Sequence, residues 1–179
     1  MFKYCYWLML LFGVFLTDAS AQDLRPSDPE SNITFTIKNF GLQVEGRFGS
    51  LQGLVRFDTA DLAHAVIELS VAAATINTGN GSRDAHLKKA EYFNVQAFPQ
   101  LAFISDKVVK KAAGSYQAQG KMTIKGITKA VTIAFTAKPH KNGYLFSGKL
   151  NLNRRDFNIG GPSMVLSDNL VVLFQVQVR

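Results

Sequence analysis

Apolar and polar positions alternate with a period of two along most of this chain. Between Val131 and Ala137, every second residue is apolar and its neighbours are small or polar. Similar short runs recur from Ile33 to Val178, and turn signals such as Asn142-Gly143 separate them. Such alternation is typical of strands with one buried face. The sequence therefore predicts an all-β fold of about eight antiparallel strands, arranged as a closed barrel or a sandwich.

The alternation breaks down between residues 77 and 99. An Asn/Gly-rich loop there leads to Ser82, a good helix N-cap, with Asp84 placed favourably in the first turn. Apolar residues then fall near helical spacing until Pro99 ends the segment. We expect one short helix within residues 82–93, at the mouth or side of the barrel.

The N-terminus has the features of a secretory signal peptide. Lys3 precedes an apolar run over residues 7–16, and Ala19-Ser20-Ala21 is a small-residue cleavage site. The apolar run is shorter than the roughly 20 residues that a membrane-spanning helix needs. We expect cleavage of residues 1–21 near Ala21 and a periplasmic or secreted protein. An N-terminal membrane anchor is the alternative.

The rest of the chain is predicted to be one domain. Residues 22–31 contain two prolines and mixed charge and are interpreted as a flexible leader, followed by the barrel over residues 32–179. The formal net charge of +7 is spread along the chain. It indicates solvated surfaces, or attraction to an anionic membrane surface, but not a nucleic-acid site. A homodimer is compatible with the sequence.

The residues predicted to point inward are mostly phenylalanine. A small barrel either fills its interior with side chains or encloses one small ligand, and periodicity does not separate these alternatives. A hollow interior would suit an acyl or isoprenoid chain, whereas a filled one indicates a structural or stress protein. The inward set is Phe35, Phe48, Phe57, Phe103, Phe135, Phe146 and Phe174.

Two rival classes are less consistent with the sequence. Ser82, Asp84 and His86 could suggest a hydrolase using His86, but they lie within five residues of one another and no Gly-x-Ser-x-Gly elbow is present. No catalytic residues, metal site or cofactor are predicted. An outer-membrane barrel is disfavoured because charged residues such as Lys38 and Glu68 interrupt the strands.

Several segments resemble the YceI-like family, and together they cover nearly the whole chain after residue 32. The N-terminal match runs from Ile33 to Phe48. The others are Asn77-Thr78-Gly79-Asn80, Arg83-Asp84-x-His86-Leu87, Tyr92-Phe93, Phe98-Pro99, Gly120-x-Met122-Thr123-Ile124-x-Gly126-Ile127-Thr128-Lys129-x-Val131 and Arg155-Asp156-Phe157. Two positions depart from the pattern: Asn39 stands where many members have histidine, and Asn158 where glycine usually follows the Asp-Phe pair.

The resemblance implies an extended, lipocalin-like antiparallel barrel that binds a long isoprenoid or a related amphiphile. We therefore expect an exported carrier or store for a polyisoprenoid, a quinone-like molecule or a fatty-acyl amphiphile. The residues predicted to bind this ligand are Phe35, Ile37, Phe48, Phe57, Arg83, His86, Leu87, Phe93, Phe103, Met122, Phe135, Phe146 and Met164.

The polar members of this set each have two interpretations. Arg83 either binds an anionic headgroup or forms an ion pair with Asp84. His86 either donates to a headgroup or quinone oxygen, or ties the helix to a nearby strand. The residues Arg154-Arg155-Asp156 are expected to include a structural salt bridge, and Met164 to provide an adaptable contact at the rim.

Overall fold

Residues 22–179 form one curled antiparallel sheet with a single α-helix. The computed structural model describes residues 22–179, so the predicted signal peptide lies outside the described residues. The strands are β1 (Asp23–Leu24), β2 (Asn32–Asn39), β3 (Leu42–Phe48), β4 (Gln52–Arg56), β5 (Val66–Ala72), β6 (Gln100–Ala112), β7 (Ser115–Ile124), β8 (Ile127–His140), β9 (Gly143–Asn153) and β10 (Leu166–Val178). The helix is α1 (Gly81–Leu87), and short 3-10 helices occupy Asp28–Glu30, Leu62–His64, Ala73–Thr75 and Arg154–Phe157.

The strand order is β1-β4-β5-β6-β7-β8-β9-β10-β2-β3. From β4 to β10, each strand pairs with its successor in the chain, and β10 then pairs with β2. Short backbone contacts, rather than strand ladders, tie each edge of the sheet to another part of the barrel. Arg47 on β3 exchanges hydrogen bonds of 2.9 and 3.0 Å with Asn77, and Arg25 exchanges bonds of 2.8 and 3.0 Å with Arg179. The predicted all-β antiparallel barrel with one short helix is confirmed.

The buried positions follow the alternation seen in the sequence. On β8, Ile133, Phe135 and Ala137 are buried, whereas the residues between them are exposed. Within residues 22–179, no helix is long and apolar enough to cross a membrane.

The predicted flexible leader over residues 22–31 is wrong, because this segment packs on the barrel. Its strand β1 pairs with β4, and the side chain of Leu24 is only 4% exposed. Asp23 forms a 2.8 Å ion pair with Arg56, and the Asp28 carboxylate accepts a 2.7 Å hydrogen bond from the Leu51 amide. Polar composition suggested a loose segment, but it did not show these long-range partners.

The helix begins and ends earlier than the sequence indicated. Asn80, not Ser82, is the N-cap: its side chain accepts a 3.0 Å hydrogen bond from the Arg83 amide. The helix stops at Leu87, and turns continue the chain to β6. Asp84 lies in the first turn, as predicted, but also accepts a 2.9 Å bond from the Thr78 amide. This double role of Asp84 holds the preceding loop against the helix.

Two apolar clusters lie inside the barrel. The larger one runs along the interior and includes, at one end, five aromatic rings in mutual contact, which we name the aromatic plug: Phe57, Tyr116, Phe135, Tyr144 and Phe146. The smaller one centres on Ile124, Phe157 and Ile159, with Tyr92 and Phe93 packed against it. The interior between the plug and the smaller cluster contains the candidate site.

Candidate functional site

An apolar cavity of about 260 Å³ occupies the interior of the barrel. Strands on all sides of the sheet line it, together with Thr78, Arg83 and Leu87 from the loop and helix after β5. For scale, an apolar cavity of about 150 Å³ is enough to remain dry and take up benzene. The interior is therefore hollow enough for an apolar guest, and the alternative of a completely filled barrel does not hold.

The cavity brings together most of the residues predicted from the sequence. Those that line it are Phe35, Ile37, Phe48, Arg83, Leu87, Phe93, Phe103, Met122, Phe135 and Phe146. Their proximity is a finding of the structure, whereas their contact with a ligand remains a prediction.

Three predicted residues lie elsewhere. Phe57 lies within the aromatic plug, where its ring centroid is 5.1 Å from those of Tyr116, Tyr144 and Phe146. Met164 is fully exposed, because its loop turns its side chain outward. The parity of a strand identified Phe57 as inward, but it did not distinguish a lining position from a packed one.

His86 is the third predicted residue outside the cavity. It is exposed, its ring centroid is 5.0 Å from that of Tyr92, and its Nδ1 is 3.8 Å from a carboxylate oxygen of Glu91. It therefore contacts the segment after α1 and not a strand. Its position at the end of a short helix places it on the outer side of this segment.

Glycines explain why the phenylalanines leave space between them. Phe35 on β2 pairs with Gly46 on β3, and a Cβ atom added to Gly46 would overlap the Phe35 ring. Phe174 on β10 pairs with Gly148 on β9, where an added Cβ would lie 2.6 Å from the ring carbon Cζ. Each ring therefore lies over a neighbouring strand. It forms part of the wall instead of projecting into the centre.

Three aromatic rings form one continuous part of this wall. The centroid of Phe48 is 5.6 Å from that of Phe35 and 5.5 Å from that of Phe93. Phe93 comes from the segment after α1, so this contact fixes that segment against the sheet. At the other end, Phe135 and Phe146 belong to both the lining and the aromatic plug, which therefore forms the cavity floor.

Arg83 is the cationic lining residue whose hydrogen bonds leave donors available. Its Nε donates to Thr78 Oγ1 and its Nη2 to the Thr78 carbonyl oxygen, both at 2.8 Å. Asp84 also bonds to Thr78, so among the described residues Arg83 and Asp84 share this partner instead of pairing directly. Since a guanidinium has further N–H groups, Arg83 can donate to an anionic group in the cavity.

Arg154 also lines the cavity, but its hydrogen bonds are internal. It is 3% exposed, and its Nη2 lies 2.6 Å from an Asp168 oxygen. Its other bonds, of 2.8 to 3.4 Å, go to the carbonyl oxygens of Ile159, Gly161, Leu166 and Ser167. Every N–H of the guanidinium therefore has a partner. The salt bridge expected around residues 154–156 exists, but its acid is Asp168, and its role is to hold the loop before β10.

The loops around this end of the cavity are tied to one another. Lys125, in the turn between β7 and β8, donates a 2.8 Å hydrogen bond to the Asn158 carbonyl oxygen, and Gly160 donates one of 2.9 Å to Glu91. Burial lowers the pKa of the Lys125 ammonium, and the charge of Glu91 opposes that shift. Asn158 has a φ of 52°, a left-handed conformation that asparagine tolerates and that glycine adopts readily. This explains how asparagine replaces the usual glycine there.

Sequence reasoning missed part of the lining. On β10, Leu170 and Val172 line the cavity beside Phe174. Both lie in the continuous apolar run 170–174, where period two does not show which side chains point inward. Thr78 and Tyr92 come from irregular segments, where the spacing of apolar residues does not predict which way a side chain points.

The polar residues considered for catalysis have other partners. Asp84 bonds to Thr78 and His86 faces Glu91, so these contacts do not form the Ser–His–Asp hydrogen-bond chain of a hydrolase. Within residues 22–179, no group of three or more His, Cys, Asp or Glu residues is arranged to hold a metal ion.

Comparison with known proteins agrees with this architecture. The YceI-like domain matches residues 26–178. A UPF0312 protein from Yersinia enterocolitica is 34% identical over 134 residues, which cover 71% of this chain and 69% of that protein.

Two solved structures share the fold. The crystal structure of Burkholderia cenocepacia BcnA has a TM-score of 0.81 at 23% identity, covering 86% of this chain and 99% of that one. A polyisoprenoid binding domain from Saccharophagus degradans, implicated in plant cell wall breakdown, has a TM-score of 0.70 at 12% identity and covers 87% and 97%. At these identities, the likeness concerns the fold alone. Since the domain match spans nearly all described residues, the chain belongs to the YceI-like family.

Proposed function

We propose that this protein binds the long apolar chain of an amphiphile inside the barrel, with a polyisoprenoid, quinone-like or fatty-acyl tail as the ligand class. The observation that carries the proposal is the apolar cavity of about 260 Å³ walled by phenylalanines that lie over glycines. The fold is shared with a protein named as a polyisoprenoid binding domain, which supports the same ligand class. Binding without catalysis, as carrier or store, is the proposed activity.

The headgroup is proposed to lie at Arg83. Thr78 fixes the guanidinium through two hydrogen bonds, so little side-chain freedom is lost when a ligand binds. The remaining donors suit a phosphate, a carboxylate or a quinone oxygen. The tail then extends towards the floor formed by Phe135 and Phe146.

The direct test is native mass spectrometry of the protein purified from its own host, followed by extraction of bound lipid. We expect a co-purifying amphiphile with one long apolar chain. Recovery of ligand-free protein that also fails to take up prenyl phosphates, quinones and fatty acids in detergent would overturn the proposal.

The headgroup position has a separate test with a matched control. Arg83→Ala should weaken binding of a prenyl phosphate by about tenfold or more, because a hydrogen bond to a charged group contributes about 1.5–3 kcal/mol. Lys89→Ala removes an exposed charge from the adjoining segment and should leave affinity unchanged. Equal affinities of the two variants would contradict the role of Arg83. The affinities of Arg83→Ala and Lys89→Ala should differ less for the neutral prenyl alcohol than for the prenyl phosphate.

We also propose export of the protein, which rests on the N-terminal sequence features alone. Fractionation of the native host should place the protein outside the cytoplasm, and N-terminal sequencing should begin at Gln22. A protein retained in the cytoplasm with Met1 intact would contradict export but not lipid binding.

A further inference from the structure

Four exposed apolar side chains cluster at the end of the barrel opposite the plug. We name them the apolar tip: Phe40 and Leu42, each 73% exposed, Met164, fully exposed, and Val165, 39% exposed. Two loops contribute to the tip and are joined by a 2.9 Å hydrogen bond from the Phe40 amide to the Val165 carbonyl oxygen. The tip is therefore one surface and not two unrelated loops.

Phe40 has a strained backbone conformation at this position. It has a φ of 51°, and Gly41 follows at 75°. A left-handed conformation strains a bulky side chain, and asparagine is preferred at this place in such turns. The equivalent turn between β7 and β8 has the same angles but carries Lys125. An aromatic ring that is both strained and exposed to water contributes little to folding, which points to a contact outside the chain.

The apolar tip is continuous with the cavity. Asn39 and Leu166 pair with each other across β2 and β10, and both line the cavity. Their chain neighbours Phe40 and Val165 belong to the tip. An apolar chain that enters at this point would pass directly from the surface in contact with the tip into the cavity.

The charges around the tip favour an anionic surface. The chain carries a formal net charge of +7, and Lys38 lies two residues before Phe40. Two carboxylates at this end are engaged internally, since Asp84 bonds to Thr78 and Asp168 pairs with Arg154. The basic residues at the same end outnumber the exposed carboxylates Glu91 and Asp156, and they are Lys38, Lys88, Lys89, Lys125 and Arg155. Basic residues beside exposed apolar ones suit a membrane that contains anionic lipid.

We propose that the apolar tip inserts into the interface of a phospholipid bilayer containing anionic lipid, so that an amphiphile can move between the bilayer and the cavity. The inference rests on the proposed function for the identity of the cargo, whereas the docking itself does not. A protein partner fits less well, because a standard interface involves roughly 20–30 residues on each side and the tip is much smaller.

The test is sedimentation of the protein with vesicles of phosphatidylethanolamine and phosphatidylglycerol. The double variant Phe40→Asn/Leu42→Ser should lose about tenfold or more in vesicle affinity, and asparagine should suit the left-handed turn, so folding should persist. The matched control Ile104→Ser/Leu173→Ser removes side chains of 50% and 48% exposure from the middle of β6 and β10, outside the tip. This control should bind vesicles as the original chain does, and vesicles of phosphatidylcholine alone should bind all variants weakly.

A second measurement separates docking from cargo binding. Transfer of a fluorescent prenyl phosphate from vesicles should slow in the tip variant, while uptake of the same lipid from detergent micelles should not change. Equal vesicle binding by the tip variant and the original chain would overturn the inference. The inference would also be overturned if the tip mediated only self-association. Sedimentation velocity would then show a dimer of the original chain that the tip variant abolishes. Tip-dependent docking without lipid uptake from either source would support docking and overturn the proposed function instead.

Discussion

Phenylalanine fills the interior at one end of this barrel and forms the wall of a cavity towards the other end. At the plug, Phe57 contacts four other aromatic rings at centroid distances of 5.1 to 6.2 Å, and the space is filled. Towards the other end, Phe35 and Phe174 lie over glycines and the space between them remains open. The difference shows that the packing partners of a phenylalanine, and not the residue type itself, decide whether the interior is filled or hollow.

The two ends also differ in whether polar side chains line the cavity. The plug is built from aromatic side chains, whereas Thr78, Arg83 and Arg154 line the opposite end of the cavity. An amphiphile has the same division, with one apolar end and one polar end. The barrel is therefore asymmetric in a way that would orient such a ligand.

The largest expected effect comes from removing a ring at the filled end. Phe57→Ala should lower the free energy of unfolding by about 3–5 kcal/mol, because the lost ring leaves a cavity among packed neighbours. Phe48→Ala, at the half-buried wall, should lower it by only about 1–2 kcal/mol while weakening lipid binding. Urea unfolding of both variants checks this difference, and equal losses would show that the two ends are packed alike.

The next effect concerns the polar side of the open end. Arg154→Leu should lower the free energy of unfolding by about 2–3 kcal/mol, because the buried carbonyl oxygen of Ile159 and the partly buried one of Gly161 lose their donor. Amide hydrogen exchange should accelerate over residues 158–168. Arg155→Leu removes the same charge from the next position without affecting these bonds. If Arg155→Leu accelerated hydrogen exchange equally, the lost charge and not the lost hydrogen bonds would account for the faster exchange of this loop.

A smaller effect should follow from converting part of the hollow wall into a filled one. Gly46→Ala places a methyl group against Phe35 and should push its ring into the cavity, so that lipid affinity falls by about tenfold. Gly49→Ala is the matched control, because nothing lies within 4 Å of its added Cβ. Titration with a fluorescent fatty acid measures both. Unchanged affinity in Gly46→Ala would show that this part of the wall does not contact the ligand.

The smallest effect belongs to the surface at the plug end. A hydrogen bond from Lys141 lowers the pKa of the Glu30 carboxyl in the folded protein. The carboxylate therefore stabilises the fold above its ordinary pKa, and this contribution is lost as the pH falls towards the lowered value. Glu30→Gln should make stability slightly less sensitive to acid, with no effect on lipid binding. Urea unfolding at neutral and acidic pH checks the change, and a steeper acid dependence in the variant would contradict it.

The sequence predicted the fold class well because alternation reports directly on which strand face is buried. The Asn142-Gly143 signal then indicated a hairpin between antiparallel neighbours, although the turn consists of Lys141 and Asn142, and Gly143 already belongs to β9. The packing of residues 22–31 was not predictable, because β1 is two residues long and depends on partners in β4. Local composition has no information about a partner that lies more than thirty positions away, as Asp23 and Arg56 show.

The candidate site was predictable in type but not in detail. Alternation identified Phe48 and Phe57 equally as inward, yet only Phe48 lines the cavity. Phe48 pairs with Ile33 on β2, whereas Phe57 follows β4 and packs among the plug rings, and neither set of partners can be read from one strand alone. His86 and Met164 lie in segments without period two, so the directions of their side chains could not be predicted.

The join between Arg47 and Asn77 has a consequence for the size of ligand that the barrel can accept. There, one reciprocal pair of backbone hydrogen bonds and three further bonds from Gly49 to Ala72 and Thr75 hold β3 to the end of β5 and the segment after it, whereas β9 and β10 pair at ten consecutive positions. Parting the seam therefore breaks fewer bonds than parting those two strands. We expect the resting volume to be a lower bound, because spreading this seam would widen the interior while the rest of the sheet keeps its pairing.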